Sequence, residues 1–423
     1  MMRRRSFCFI IILTRVLTPA WKTGCLRNTY KGNWKPSGWT SWGIMSLPGG
    51  SSPKSSTRAP AAADILKVGE VVVFGPFSGL FGKDIGVDLG TTNIVICVKG
   101  EGVTMNEPSV IAFRKASRKS NKEIIAYGSE AKAMAGKTPV GVETVQPVQS
   151  GVIGDFEMTG ALIRHFLSLA NNGIRPMGHP RVIISTPVDI TEVERKAFID
   201  ATLDGGAREV YVVEEPVAAA IGVGLPIDEP RGNMIVDVGG GTSEVAVLSL
   251  GGVVVSNSLR VAGDEMDAAL INMMRQNYTL SIGSATAGEL KNAIGSALPM
   301  NSEKEFEVRG RNLKDGLPKG IRISNTEVRE ALNPVLTRII EMVRETLERT
   351  PPELARDIAD QGLVLSGGAA LLEGLGKRIS QDLKVPVLTA ERPLLAVADG
   401  IAKLLDRFDY MKKILVSVGH GVR

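Results

Sequence analysis

Cysteine, histidine and aromatic side chains are scarce in this sequence. The 423 residues include three cysteines, three histidines and 5% aromatic residues. Cys8, Cys25 and Cys97 have neither the spacing of metal ligands nor that of a disulfide framework. This scarcity excludes a disulfide-stabilised secreted domain and fits a protein of the reducing cytosol, with Cys97 as a core residue.

A strong charge of one sign is also lacking. The formal net charge is only +5, and several of the basic residues lie within the first 35 positions. No basic stripe interleaved with aromatic residues follows, so the sequence does not indicate a nucleic-acid partner. Hydrophobic residues make up 43% and charged residues 22% of the chain, which is typical of a soluble globular protein with enough length for two or three domains.

Long hydrophobic runs are missing from the front of the chain. Residues 7–13 form an apolar run behind three arginines, as in a signal peptide. The run is much shorter than the ~20 residues that span a bilayer, and no small-residue cleavage site follows it. Residues 46–63 are rich in Ser, Pro, Gly and Ala, as in a flexible linker. We expect residues 1–75 to be a disordered or non-native extension, with a signal-anchor as the alternative.

Glycine, by contrast, is concentrated in the stretch around which the chain is organised. Residues 234–247 predict a buried strand that reaches Asp237, a turn with three consecutive glycines, and a second strand. Consecutive glycines do not stabilise strands, because they pack nothing and lose the most backbone entropy on folding. They fit a backbone that turns its N–H groups toward an anion. Asp237 would then lie beside that anion, where a hydrated Mg²⁺ is held. An ordinary glycine-rich hairpin is the alternative.

The same arrangement occurs earlier in the chain. Residues 85–98 again combine an apolar strand that reaches Asp88, a glycine turn with two threonines, and a second apolar strand. A further glycine turn follows each copy, at 99–102 and at 249–252. The two copies are separated by a domain-sized interval. The duplication predicts two similar α/β domains that face each other, each with one phosphate-binding hairpin at a shared cleft.

A pair of carboxylates follows another predicted strand. Residues 181–188 and 209–213 are typical of buried parallel strands, and residues 191–194 between them form a capping box for a helix. Glu214 and Glu215 follow the second strand, at the edge where open α/β sheets bind ligands. Glu215 can there orient the water that attacks a terminal phosphate. A solvated strand end is the alternative.

Two further segments are candidate nucleotide contacts. Residues 285–295 predict a helix from which Glu289 and Lys291 can both reach a cleft as adenosine and ribose contacts, although residues two apart do not share a helix face. Either one alone is typical of a solvated surface charge. Residues 362–371 predict a strand and a Gly-Gly turn at a helix N-terminus, where N–H groups and the helix dipole favour an anion or a closely packed base.

Several motifs together resemble a known superfamily. Four of them resemble the actin, sugar-kinase and chaperone ATPases: 87–93 (VDLGTTN), 215–216 (EP), 237–242 (DVGGGT) and 365–369 (LSGGA). Five others narrow the resemblance to the bacterial MreB family of actin homologues: 106–110 (NEPSV), 136–139 (GKTP), 214–222 (EEPVAAAIG), 307–313 (EVRGRNL) and 351–355 (PPELA). Together they extend over about 77–411.

The resemblance implies an α/β actin-like ATPase fold. Two similar RNase H-like α/β domains would surround a nucleotide cleft, and each would carry a small inserted subdomain. The implied domains are 76–217 with an insertion at about 103–150, 218–384 with an insertion at about 263–328, and C-terminal helices at 385–423 that return to the first domain.

The resemblance also implies a function. It implies a slow ATPase, with ATP and Mg²⁺ as ligands, whose activity is coupled to self-assembly into double protofilaments. Such filaments lie on the inner face of the cytoplasmic membrane. With membrane proteins of cell-wall elongation, they direct wall synthesis and set the rod shape of the cell.

Individual residues take roles from the same resemblance. One group belongs to the two phosphate loops: Thr91, Thr92, Asn93, Gly239, Gly240, Gly241 and Thr242. A second group belongs to the adenosine contacts: Glu289, Lys291, Gly367, Gly368 and Ala369. Asp88 and Asp237 would hold Mg²⁺ through water, and Glu215 would be the catalytic residue that positions the attacking water. Asn292 and Ala293 depart from the polar-acidic pair expected after Lys291.

Two segments are candidates for membrane contact. The family's membrane-inserting loop is expected near 172–179, which here contains no aromatic residue. Residues 76–83 form an apolar and basic patch before the first strand, either as a lead-in that packs on the sheet or as a membrane-contacting tip. We therefore expect lipid contact to depend more on the apolar side chains of this patch, Phe77, Leu80 and Phe81.

Other functions are possible on such a fold. A small-molecule kinase would need its own carboxylate base, and the sequence offers none beyond Glu215. A chaperone ATPase would need a peptide-binding domain after the nucleotide unit, which the remaining residues are too few to form. The kinase and a scaffold that binds ATP without hydrolysing it stay open as alternatives.

Overall fold

The computed structural model describes residues 82–115, 122–171 and 179–408. The predicted extension 1–75, the side chains of Phe77, Leu80 and Phe81, and the loop 172–178 lie outside these residues. In chain order the described strands are β1 (Asp84–Leu89), β2 (Asn93–Val98), β3 (Gly102–Pro108), β4 (Ile111–Lys115), β5 (Lys122–Tyr127), β6 (Val142–Val145), β7 (Val148–Gln149), β8 (Val152–Ile153), β9 (Arg181–Thr186), β10 (Glu209–Glu214), β11 (Asn233–Val238), β12 (Ser243–Ser249), β13 (Gly252–Leu259), β14 (Leu280–Ser281), β15 (Glu305–Asn312), β16 (Pro318–Ser324), β17 (Leu363–Ser366) and β18 (Val387–Thr389).

The described helices follow the same order. They are α1 (Gly128–Met134), α2 (Phe156–Ala170), α3 (Glu192–Asp204), α4 (Glu215–Val223), α5 (Gly263–Tyr278), α6 (Ser284–Ile294), α7 (Asn325–Arg349), α8 (Pro352–Gln361), α9 (Leu375–Leu383) and α10 (Ala396–Asp406). The predicted capping box of α3 is confirmed, because Thr191 Oγ1 accepts from the Glu194 N–H and the Glu194 carboxylate accepts from the Thr191 N–H. None of the described helices is both long and apolar enough to cross a membrane.

Two five-stranded sheets with the same topology form the centre of the structure. The first has the order β3-β2-β1-β9-β10 and the second the order β13-β12-β11-β17-β18. In each sheet three consecutive antiparallel strands are extended by two parallel strands. Each sheet also has a register shift in its outer antiparallel pair, next to Cys97 in one and next to Leu248 in the other. The two similar α/β units predicted from the duplicated motif are therefore present.

Helices cover both faces of these sheets, which explains why the central strands are continuous apolar runs. The outer face of the first sheet packs on α2 and α3, with Phe166 and Phe198 buried in that core. The outer face of the second sheet packs on α5, α6 and α7. A third core joins the inner faces of both sheets, including Val95 and Ile235, to α4 and α10.

The inner helices α4 and α10 cross at two glycines. A Cβ added to Gly222 would collide with the Ala396 carbonyl, and one added to Gly400 would collide with the Ala218 carbonyl. The two backbones are thus in direct contact. Because α4 begins at Glu215, this crossing fixes the helix that carries the predicted catalytic residue.

The start of the first insertion differs from the predicted position of about 103. β3 pairs with β2 from Gly102 to Pro108 and is the edge strand of the first sheet. The small sheet β5-β4-β6 follows it. The difference arises because an edge strand of a large sheet and a strand of a small inserted sheet have the same half-exposed pattern. The other domain boundaries stay predictions.

Candidate active site

The two glycine turns lie against each other. A Cβ added to Gly240 would overlap the Thr92 hydroxyl, and one added to Gly241 would lie 2.9 Å from the Thr91 Cβ. The backbone N–H of Gly151 also donates a 3.1 Å hydrogen bond to Thr91 Oγ1. The facing hairpin therefore leaves no room for a side chain at either glycine, which is a reason for glycine that the sequence analysis did not foresee.

The second turn is held by the start of α5. The Gly239 N–H donates to the Thr242 carbonyl at 2.9 Å, and the Asp264 N–H donates to the Gly240 carbonyl at 2.7 Å. Within the described structure, the N–H groups of Gly240 and Gly241 donate to no backbone carbonyl. The carbonyl oxygens of Gly239 and Gly240 thus accept hydrogen bonds from the start of α5. The N–H groups of Gly240 and Gly241 remain available to an anion.

Each sheet holds one aspartate in the same way. Ser185 at the end of β9 donates a 2.8 Å hydrogen bond to Asp88 Oδ1. Ser366 at the end of β17 donates a 2.6 Å hydrogen bond to Asp237 Oδ1. In both sheets the serine lies on the parallel strand next to the aspartate's strand. The structure thus repeats an aspartate–serine pair that the sequence analysis recognised only through the aspartates.

Four carboxyl groups influence one another at this junction, those of Asp88, Asp237, Glu215 and Glu244. Burial raises the pKa of Asp88 to about 7, and the charge of Asp237 adds to the rise. The hydrogen bond from Ser185 acts in the opposite direction and lowers this pKa. Burial likewise raises the pKa of Asp237 to about 6. Burial, followed by the charges of Asp88 and Asp237, raises the pKa of Glu215. Neither a lysine nor an arginine is among the causes that shift the pKa values of these four groups.

Glu215 is placed by the end of one element and the start of another. It follows β10 directly and is the first residue of α4. Only 9% of its surface is exposed, so the alternative of a solvated strand end is wrong for this residue. Since β10 and β9 are parallel neighbours with Glu214 opposite Thr186, Glu215 lies at the carboxyl edge of the first sheet.

Glu244 is a fourth carboxyl that the sequence analysis did not single out. It lies opposite Asp237 in the β11–β12 pair and is fully buried. Its Oε1 accepts from the Val188 N–H at 3.1 Å and from Ser258 Oγ at 3.3 Å. Burial, followed by the charges of Glu215 and Asp237, raises its pKa. No signal in the sequence marked it, because its position opposite Asp237 depends on the register of the β11–β12 pair.

The predicted adenosine contacts differ in their surroundings. Lys291 forms a 2.7 Å ion pair with Asp267 and donates a 3.0 Å hydrogen bond to the Gly263 carbonyl. Gly263 itself donates to the Gly239 carbonyl, so Lys291 is close to the second turn. Glu289 is exposed, and no described contact joins it to the hairpins.

The third glycine turn also adjoins the second hairpin. Gly367 has a φ of +85° and packs directly on the backbone of Val238, the residue before Gly239. The predicted helix N-terminus at this turn is wrong, because Gly368–Leu371 is a single 3-10 turn and α9 begins only at Leu375. Gly374, with a φ of +78°, separates the two. Gly368 and Ala369 therefore lie on a turn without the dipole of a long helix.

Asn93 lies at the first hairpin but is engaged elsewhere. It is the first residue of β2, and its side-chain N–H donates a 2.7 Å hydrogen bond to Asn106 Oδ1 on β3. Thr91 and Thr92 contact the second hairpin, whereas the described side-chain hydrogen bond of Asn93 is to Asn106.

Comparison with known sequences gives a consistent result. A profile of the MreB/Mbl protein family matches residues 82–413. The cell shape-determining protein MreB of Escherichia coli (strain K12) is 48% identical over 335 residues, which are 79% of this chain and 96% of that protein. The cell shape-determining protein Mbl of Bacillus subtilis (strain 168) is 44% identical over 335 residues, which are 79% of this chain and 99% of that protein.

Solved structures agree with the sequence matches. MreB5 of Spiroplasma citri bound to ADP has a TM-score of 0.73 at 35% identity, over 80% of this chain and 99% of that chain. The MamK double helical filament has a TM-score of 0.64 at 21% identity, over 76% of this chain and 98% of that chain, and shows a likeness in fold alone. The actin-like α/β fold class predicted from the sequence is confirmed. The chain belongs to the MreB/Mbl family.

Proposed function

We propose that this protein binds ATP with Mg²⁺ between the two glycine hairpins and hydrolyses it slowly in step with its own polymerisation. The filaments lie on the inner face of the cytoplasmic membrane and, with membrane proteins of cell-wall elongation, direct wall synthesis and set cell shape. The observation that carries this proposal is the contact of the two glycine turns beside four mutually interacting carboxyl groups.

The chemistry of the donor set supports Mg²⁺. Asp88 and Asp237 are hard oxygen donors of the kind that Mg²⁺ prefers. Their pKa values rise to about 7 and about 6 because burial disfavours the charged form. A divalent cation held by these two aspartates would supply that charge and neutralise the phosphates of the nucleotide.

The side chains and backbone suggest how the site works on ATP. Thr91, Thr92 and the N–H groups of the second turn hold the β- and γ-phosphates. Lys291 and Gly367, both next to that turn, take the nucleoside end together with Glu289, Gly368 and Ala369. The Glu215 carboxylate accepts a hydrogen bond from a water molecule and orients it toward the γ-phosphorus, since phosphoryl transfer depends mainly on positioning and charge compensation.

Named relatives support the nucleotide and the cellular role. The Spiroplasma citri structures are of MreB5 bound to ADP and to AMPPNP, and the two bacterial relatives are called cell shape-determining proteins. Polymerisation and membrane contact follow from the family resemblance. Phe77, Leu80 and Phe81 are the side chains we assign to lipid contact.

Electron microscopy and sedimentation of the full chain test the proposal. We expect filaments with Mg²⁺ and ATP, and none with ATP and excess EDTA. Equal assembly in both samples would separate polymerisation from the metal-nucleotide site and contradict the proposal.

A further inference from the structure

One buried hydrogen bond joins the two halves of the candidate site. The Val188 N–H, which belongs to the segment between β9 and α3, donates to Glu244 Oε1 on β12 at 3.1 Å. β9 belongs to the first sheet and β12 to the second. Glu244 is 0% exposed, so water does not compete for this bond.

The two ends of this bond lie next to the residues assigned to hydrolysis. Val188 comes two residues after Thr186, which is opposite Glu214 in the β9–β10 pair, so the bond holds the sheet edge that carries Glu215. At the other end, Glu244 comes two residues after Thr242 and lies opposite Asp237. The bond therefore spans from the Glu215 edge to the second glycine hairpin.

The same junction is packed tightly on a second side. A Cβ added to Gly151 would lie 2.5 Å from the Thr242 methyl group and 3.1 Å from Pro187. Arg260 and Glu194 also connect the two halves with a 2.8 Å ion pair, but 56% of the arginine side chain is exposed. An exposed pair of this kind contributes little to stability, so the buried Val188–Glu244 bond is the stronger determinant of position.

Glu244 is also an unusual choice for a merely structural link. Its second oxygen, Oε2, is buried and has no hydrogen-bond partner among the described residues. Leaving a buried polar atom without a partner is unfavourable, and groups of this kind in native structures call for a specific explanation. The charges of Glu215 and Asp237 act on this carboxyl, which places it beside the reaction site.

We infer that Glu244 is a positioning residue for ATP hydrolysis: through its bond to the Val188 N–H it sets the distance between Glu215 and the second glycine hairpin. The inference rests on the proposed ATPase function. Glu244 acts through the acceptor oxygen and not through its charge. Glutamine at this position keeps the length of the side chain and an oxygen that can accept from the Val188 N–H.

Three variants of the full chain test this role. Glu244→Ala removes the acceptor, whereas Glu244→Gln keeps an oxygen that accepts from the Val188 N–H. Ser258→Ala is the matched control, because Ser258 lies on β13 of the same sheet as Glu244 and gives only the 3.3 Å bond to Oε1. Phosphate release is measured with Mg²⁺ and ATP, and kcat is separated from KM.

We expect Glu244→Ala to lower kcat by ~10²-fold with little change in KM, the loss that a misplacement of about 1 Å produces. Glu244→Gln and Ser258→Ala stay near the wild-type rate. Equal losses for Ala and Gln would show that the charge matters and overturn the inference. An unchanged rate in Glu244→Ala, or an equal loss in Ser258→Ala, would also overturn it.

Hydrogen exchange at Val188 gives a readout that does not depend on hydrolysis. We expect its amide to be protected in the wild type and in Glu244→Gln, and to exchange fast in Glu244→Ala. Equal protection in all three would overturn the inference even if Glu244→Ala loses activity. Absence of phosphate release from the wild type itself would instead refute the proposed ATPase function.

Discussion

Asp88 and Asp237 occupy equivalent strands of the two sheets, and the charge of Asp237 helps to raise the pKa of Asp88 to about 7. The two copies of the duplicated motif thus interact through the charges of their aspartates as well as through the contact of their glycine turns. The charge of Asp237 makes Asp88 harder to ionise, and the cation proposed above would offset this repulsion.

The raised pKa of Asp88 makes the stability of the nucleotide-free protein depend on pH. In the unfolded chain the carboxyl has its ordinary pKa of 3.8. Between that value and about 7 the native state binds more protons, so this contribution to the free energy of unfolding is fully present below pH 3.8 and is lost as the pH rises through about 7. Thermal melts from pH 5 to 8 should show a smaller loss of stability for Asp88→Asn than for the wild type. Asp228→Asn, an exposed control, should follow the wild type, and an equal slope in all three proteins would contradict the assignment.

Glu215 should be needed for hydrolysis and not for binding. Glu215→Ala removes the carboxylate that we propose orients the attacking water, so phosphate release should fall by ~10²-fold or more. Affinity for a fluorescent ATP analogue should change little. Glu214→Gln is the matched control, because the neighbouring residue is only partly buried. Hydrolysis that survives in Glu215→Ala would exclude this role, and a loss of nucleotide binding would indicate a structural one.

The crossing of α4 and α10 should tolerate no side chain at its contact. Gly400→Ala places a methyl group against the Ala218 carbonyl and should lower the free energy of unfolding by about 1–3 kcal/mol, the usual cost of overpacking. Gly283→Ala is the control, because nothing lies within 4 Å of a Cβ there. Chemical denaturation measures the free energy of unfolding of both variants. Similar stability for the two variants would mean that the helices can separate at little cost.

Lipid contact should depend on the patch before β1. A triple variant with serine at Phe77, Leu80 and Phe81 removes three apolar side chains and should pellet much less with liposomes. Val140→Ser, at a fully exposed apolar residue elsewhere, should pellet as the wild type does. Unchanged pelleting of the triple variant would end this hypothesis.

Most of the correct predictions about the fold came from the duplicated motif. Asp88, Asp237 and the glycine turns stand in two copies of one pattern, and a repeated pattern constrains the fold more than a single hairpin does. Glu215 was recognisable because it follows a buried strand at the edge where α/β sheets bind ligands.

Glu244 was missed for a physical reason. Both faces of β12 are covered, so its sequence has no alternation that separates a functional side chain from a core one. Its position opposite Asp237 becomes visible only with the register of the hairpin. The partner serines Ser185 and Ser366 depend in the same way on parallel pairing between distant segments.

The prediction of a helix directly after Gly367 was wrong because a single glycine can end a short element. Glycine at 374 takes a left-handed conformation and interrupts the chain after one 3-10 turn. The edge strand β3 was assigned to an insertion because its pattern does not say which sheet it joins. For β3 the missing information was the tertiary pairing with β2, whereas for the segment after Gly367 it was the local conformation of Gly374.

Phosphate release at increasing protein concentration tests the central claim most directly. The full chain is incubated with Mg²⁺ and ATP, and sedimentation is followed in the same samples. If hydrolysis is coupled to assembly, turnover per molecule should rise with concentration as pellets appear. Turnover that stays flat while nothing pellets, with or without lipid, would leave the fold intact and contradict the account of a polymerising ATPase.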